Sequence, residues 1–143
     1  INIPDGITLI PGSCFELCNL QTVEVGPNCQ VTDIASWAFH CNFGITEMPA
    51  FPKLRQIGDN AFRYTAQSEN DRAWLKRVHI PKNVKSIGTG AFAHNGLSQY
   101  VSIESLTFAE DSKLETIGAY AFNGNHLLKK VYHTNNNILY RHA

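Results

Sequence analysis

One signature recurs five times along this chain and constrains its fold more than any other feature: an apolar residue, two others, Ile, usually Gly, two others, usually Ala, then Phe. The copies run through Ile7, Ile10, Cys14 and Phe15, through Val31, Ile34, Ala38 and Phe39, and through Leu54, Ile57, Ala61 and Phe62. Two more run through Val84, Ile87, Ala91 and Phe92, and through Leu114, Ile117, Ala121 and Phe122. A second signature lies between them: apolar, two others, apolar, one other, apolar. It is clear at Leu20-Val23-Val25, Leu75-Val78-Ile80 and Ile103-Leu106-Phe108, and weaker at Ile45-Met48-Ala50 and Leu128-Val131-His133. Alternation over its last three positions marks a short half-buried strand.

The Phe residues follow one another at 24, 23, 30 and 30 residues. A unit this short cannot bury its own apolar side, so successive units must cover one another as a solenoid. The strands then align in parallel on one face, and the Phe residues stack inside with the Ile residues. The Ala before each Phe leaves room for the coil to close. Gly58, Gly88 and Gly118 suit a bend with positive φ. They argue against a long helix and for short 3₁₀ or irregular turns. The longer units carry insertions at Thr65–Trp74 and Gly96–Ser102. Such loops are cheap to lengthen and map to one side of a solenoid.

The residues resemble a known family. Ile-Gly-x-x-Ala-Phe, then Cys or Asn and Leu, then Val-x-Ile-Pro, is similar to the BspA-like leucine-rich repeat. Phe15-Glu-Leu-Cys18-Asn-Leu20, Phe92-Ala-His-Asn95-Gly-Leu97 and Phe122-Asn-Gly-Asn125-His-Leu127 carry that continuation. Ile3-Pro4 and Ile80-Pro81 match its strand ending. Departures are Pro11 and Ala35 for Gly, Cys14 for Ala, and the two long units. The resemblance implies a leucine-rich-repeat solenoid of α/β-type repeat, mostly β with short 3₁₀ turns, parallel strands on one face and a stacked Phe/Ile/Leu core. It implies a surface or secreted protein of bacteria or parasitic protists, some members resembling adhesins. It carries no binding residue across, because the family's repeat residues are structural.

Residues 1–143 read as one solenoid domain of five to six repeats. The pattern is already under way at Ile1, as in a piece of a longer protein. Twelve Lys and Arg against twelve Asp and Glu leave no net charge, which argues against a nucleic-acid binder. No apolar run approaches the ~18 residues of a membrane span. No nucleophile elbow, phosphate loop, paired-carboxylate motif or cofactor signature is present. Ile87-Gly88-Thr89-Gly90 lacks the Lys-Ser/Thr of a phosphate loop.

The cysteines are Cys14, Cys18, Cys29 and Cys41. The sequence favours free thiols, with a disulfide-capped end and a metal site as the alternatives. Cys14, in the Ala position, reads as a buried small hydrophobe. Trp37 reads as cover on the convex side, and Trp74 as an anchor for the first insertion.

The strand face is the binding candidate, since solenoids present an extended sheet to partners. Alternation puts Thr22, Glu47, Arg77, Ser105 and Lys130 in one outward column, and Glu24, Pro49, His79, Thr107 and Tyr132 in the next. Glu69, Asp71, Arg72 and Trp74 add an insertion-loop surface. The expected activity is a non-catalytic interaction or adhesion module for a protein, cell-surface or extracellular-matrix ligand. The rival expectation is a spacer array with no ligand of its own.

Overall fold

The computed structural model of the chain describes residues 1–64, 74–94, 102–128, 130–132 and 138–141. Among the described residues there is no helix. Eleven short strands among them carry the architecture: β1 (Asn2–Ile3), β2 (Leu9–Ile10), β3 (Glu24–Val25), β4 (Asp33–Ile34), β5 (Gln56–Ile57), β6 (Arg77–Ile80), β7 (Ser86–Ile87), β8 (Ser105–Phe108), β9 (Thr116–Ile117), β10 (Lys130–Tyr132) and β11 (Ile138–Arg141).

The fold is a parallel β-solenoid, and the repeated Ile sets its regular side. A five-stranded parallel sheet runs β2-β4-β5-β7-β9, with Ile10, Ile34, Ile57, Ile87 and Ile117 in one register column. The second signature forms a more broken side. β1 pairs with β3 and β6 with β8, all parallel, and Glu47 adds a single parallel bridge to Arg77. The copy at Ile45–Ala50 extends no further as a strand because Pro49 has no N–H to donate to a ladder.

A repeat therefore holds two strands, one more than expected, except where the Glu47 bridge stands in for the second. The Ile-Gly segment was expected as a bend; its first half is a two-residue strand instead. The second half is turn. Ala38, Ala61, Ala91 and Ala121 each donate to the carbonyl three residues back, at 3.3–3.4 Å, the 3₁₀ bond made one turn at a time. The following Phe breaks the run by bonding to the next coil: Phe39 N–H to the Ala61 carbonyl at 2.8 Å, Phe62 to Ala91 at 2.8 Å, Phe92 to Ala121 at 2.7 Å. Every second residue thus ties adjacent coils together.

The positive φ does not fall where the glycines suggested. It falls two residues before each Phe, at Ser13, Trp37, Asn60, Gly90 and Tyr120, with φ of 53–64°, and again two residues after it, at Leu17, Cys41, Tyr64, His94 and Gly124. Gly58, Gly88 and Gly118 lie outside that region. They are needed for space: a Cβ at Gly58 would lie 2.7 Å from the Ala35 carbonyl carbon, and one at Gly88 would lie 2.6 Å from the Asp59 amide nitrogen. Their backbones lie flat against the preceding coil.

The core fills the interior from end to end. Phe39, Phe62, Phe92 and Phe122 are buried, as are Ile10, Ile34, Ile57 and Ile87. Phe15 and Ile117, in the outermost coils of the ladder, are half-buried. The rings form one continuous stack. Centroids are 5.4 Å apart for Phe15–Phe39, 5.1 Å for Phe39–Phe62, 5.4 Å for Phe62–Phe92 and 5.3 Å for Phe92–Phe122. The last two pairs are parallel to within 2°.

Two asparagines close polar gaps in this core. Asn42 donates to the Phe15 and Phe39 carbonyls and accepts from the Leu20 amide. Asn125 donates to Phe92 and Phe122 and accepts from Ile103. Each buried amide satisfies backbone groups from two different coils.

Candidate functional site

With the interior committed to stacking, chemistry is left to three outward surfaces. The first is the expected strand face. β6 alternates as read, with Arg77 and His79 exposed and Val78 and Ile80 buried. Register puts Arg77 beside Ser105 and His79 beside Thr107, and the bridge sets Glu47 on the other side of Arg77. Thr22 and Glu24 are exposed on the first coils.

Within this face the charges are already engaged. The Arg77 guanidinium donates to one Glu47 carboxylate oxygen, with Nε at 2.8 Å and Nη2 also in contact. Both side chains are 58 % exposed, so the pair contributes at most about 1 kcal/mol. Thr107 Oγ1 lies 2.9 Å from His79 Nδ1. The charged residues at the centre of this face therefore form a neutral pair.

Three expected members leave the two columns. Pro49 is buried, because the residues after Glu47 run Met48 and Pro49 inward and Ala50 outward. Lys130 and Tyr132 lie in β10, whose partner among the described residues is β11 and is antiparallel, with Lys130 opposite Arg141. That chain reversal replaces the parallel stacking expected there. Glu69, Asp71 and Arg72 lie outside the described residues. Trp74, at the end of the same insertion, is half-buried. Its Nε1 donates to the Ser102 carbonyl at 2.9 Å, and Lys76 Nζ sits 4.1 Å from the ring centroid. Trp74 thus ties the end of the first insertion to the end of the second.

The second surface was missed. The residue before each repeated Ile points outward beside the five-stranded sheet, giving the column Leu9, Asp33, Gln56, Ser86 and Thr116. Ser36, Asp59 and Thr89 flank it, and the Thr89 amide donates to Asp59 Oδ1 at 2.7 Å. Two adjoining depressions of about 310 and 390 Å³ run along it. The signal was available: a fixed apolar-x-x-Ile register fixes the outward neighbour as firmly as the Ile. A separate depression of about 430 Å³ is lined by Arg55, Asn83, Lys85 and Lys113.

The third surface lies over the turns. His40 Nδ1 is 3.0 Å from Glu16 Oε1, and His40 Nε2 is 3.4 Å from Cys41 Sγ. Trp37 meets the imidazole edge-on at 4.7 Å. Tyr64 lies 5.9 Å from it and stacks on His94 at 5.1 Å. Arg63 reaches the Tyr64 hydroxyl with Nη2 at 3.2 Å and Asn60 with Nη1 at 3.3 Å, while its Nε is buried without a partner. Hydrogen bonds from Ser13 and then His40 hold the Glu16 carboxyl below the usual carboxylate range. Burial, and then the Glu16 charge, push the Cys41 thiol up, opposed by Arg63. Burial, then Arg63 and His126, push His94 down.

All four cysteines are free thiols. Cys14 is exposed, contrary to its reading as a buried hydrophobe, because the first coil is the edge of the stack. Cys29 is the buried one. Among the described residues, no three of His, Cys, Asp and Glu gather as a metal site. No helix among them is long and apolar enough to cross a membrane.

A stack of short parallel strands with a Phe ladder, a fixed Ile column and, among the described residues, no helix defines a repeat solenoid. The chain belongs to the BspA-type leucine-rich-repeat family: six copies of that repeat match over residues 1–98 and 71–142. No curated protein and no solved structure matches it. Solenoids of this kind are generally non-catalytic and serve as interaction or repeat modules.

Proposed function

We propose that this chain is a non-catalytic adhesion or protein-interaction module, at the cell surface or secreted, that holds a protein or extracellular-matrix ligand on its exposed strand face. The observation that carries this reading is the β6–β8 register. It sets Arg77, Ser105, His79 and Thr107 side by side in two columns, with Arg77 and His79 outward over a buried, rigid core. Many modest contacts on such a scaffold give binding without rearrangement, and a few anchors dominate the affinity. The Thr65–Trp74 insertion, anchored through Trp74, belongs to the same proposal.

One observation favours the spacer alternative: Glu47 with Arg77 and His79 with Thr107 satisfy each other within the face. The test is binding of the purified protein to immobilised matrix proteins, glycans and whole cells, alongside Arg77→Glu. Saturable binding that falls about tenfold or more in Arg77→Glu, with unchanged circular dichroism and urea midpoint, supports the interaction module. No binding, with tolerance of the deletion of a whole coil, supports the spacer.

A further inference from the structure

Among the described residues, the Glu16–His40–Cys41 line is the one place outside the strand face where side chains form a directed chemical relay. Its connectivity is specific. Glu16 holds one imidazole nitrogen and Cys41 holds the other, at 3.0 and 3.4 Å. A base that must take a proton from a thiol needs this arrangement: one nitrogen free to accept, the opposite one held by a group that orients the ring and stabilises it once charged. Three features fix the geometry. Trp37 packs edge-on against the imidazole. The backbone of His40 accepts from Leu17 in the coil before, and Cys41 donates to Arg63 in the coil after, each at 3.0 Å. Cys41 itself is held at φ of 56°.

We infer that Cys41 is a base-assisted nucleophilic thiol that captures a disulfide-bearing partner or small molecule by thiol–disulfide exchange, with His40 as the base and Glu16 as its positioning residue. The step balances without an outside oxidant. The Cys41 thiol passes its proton to His40 Nε2. The thiolate attacks one sulfur of R–S–S–R′, the Cys41–S–S–R bond forms, and the R–S–R′ disulfide bond breaks. The released R′–S⁻ takes the proton from the imidazolium. The event is stoichiometric and independent of the strand-face reading.

The charged groups facing this thiol are Glu16 from the first coil and Arg63 from the third. Burial and Glu16 keep the thiol protonated at neutral pH, with Arg63 opposing. A thiol so held reacts slowly unless a base removes its proton, and the thiolate then formed is intrinsically a stronger nucleophile. Among the described residues no histidine meets the exposed Cys14 or Cys18 thiol; that of Cys18 lies 3.5 Å from the Glu16 carbonyl.

The experiment treats the intact chain with oxidised glutathione from pH 6 to 10 and locates each mixed disulfide by peptide mass spectrometry. Cys41 should be modified first at pH 7, ahead of the more exposed Cys14 and Cys18. In a Cys14→Ser/Cys18→Ser background, His40→Gln should slow Cys41 about tenfold or more at pH 7 and little at pH 10. Glu16→Gln should give an intermediate loss. A merely structural role for His40 would lower the rate equally at both pH values. Modification in order of exposure, or an unchanged pH profile in a folded His40→Gln protein, overturns the inference.

Discussion

Replacing Gly88 by Ala separates two explanations of the repeat glycine that predict opposite signs. If glycine were there only as a flexible residue in a permissive bend, Ala would stabilise the fold by about 0.4–1 kcal/mol, because it restricts the unfolded chain. The structure gives a different reason. Gly88 has no positive φ, and a Cβ there would lie 2.6 Å from both the Asp59 amide nitrogen and the Gly58 carbonyl carbon. Those are backbone atoms of the preceding coil and cannot rotate away.

The coil must shift to admit the methyl, and overpacking of this kind costs about 1–3 kcal/mol. The shift also strains the Gly88 N–H bond to the Ile57 carbonyl at 2.8 Å and the Thr89 N–H bond to Asp59 at 2.7 Å. Sterics outweigh the entropy gain, so Gly88→Ala should destabilise by about 1–2 kcal/mol net. Urea unfolding followed by circular dichroism reads this as a lower midpoint with unchanged slope. Gly90 is the internal control. It has φ of 62°, and non-glycine residues such as Asn60 adopt the same conformation at the equivalent position. Gly90→Asn, whose Cβ would press only on the end of the Asn60 side chain, 2.6 Å away, should therefore lower the midpoint less than Gly88→Ala. A Gly88→Ala protein as stable as the parent would refute the close-approach argument.

Three further substitutions test the interior. Phe62→Ala removes a buried ring stacked on both sides, at 5.1 and 5.4 Å, and should cost about 3–5 kcal/mol. Phe15→Ala removes a half-buried ring with one stacking neighbour and should cost less than half as much; equal costs in urea titrations would contradict the ladder. Asn125→Leu removes the side-chain partner of the Ile103 amide and of the Phe92 and Phe122 carbonyls. It should cost about 2–4 kcal/mol, despite adding an apolar side chain to a core, and a stabilised variant would show that those groups find other partners.

What the sequence made legible followed from repetition. Five equal Ile-to-Phe offsets put Ile34, Ile57 and Ile87 in one column and Phe39, Phe62 and Phe92 in one stack, and the alternation of Arg77–Ile80 gave its outward residues. What it hid lay below the length at which pattern carries information. A two-residue strand such as Gln56–Ile57 shows no alternation, so the more regular of the two strand sides was read as a bend. Pro49 is apolar enough to turn inward, which a strict period of two does not anticipate. Cys14 follows the repeat in sequence but not in burial, because burial depends on how many coils flank a position. Close approach at Gly58, Gly88 and Gly118 depends on inter-coil distance, which one coil's sequence does not encode. The His40 relay was equally out of reach, since Glu16 and His40 meet across coils.

These limits bear on where function can reside. In a one-dimensional stack each coil gives one residue to every column, so an inward position tolerates only what its two neighbours can cover. Outward positions carry no such demand: the strand-face column runs Glu47, Arg77 and Ser105, and the column beside the five-stranded sheet runs Leu9, Asp33, Gln56, Ser86 and Thr116. Inter-coil register then converts residues 24 to 30 apart into neighbours within hydrogen-bond reach, as with Glu16 and His40, His79 and Thr107, and Glu47 and Arg77. A partner-binding surface or a thiol relay can arise from outward substitutions alone, with the Phe ladder unchanged. Family membership therefore transmits the scaffold, while the outward columns and the turn over His40 hold what is particular to this chain.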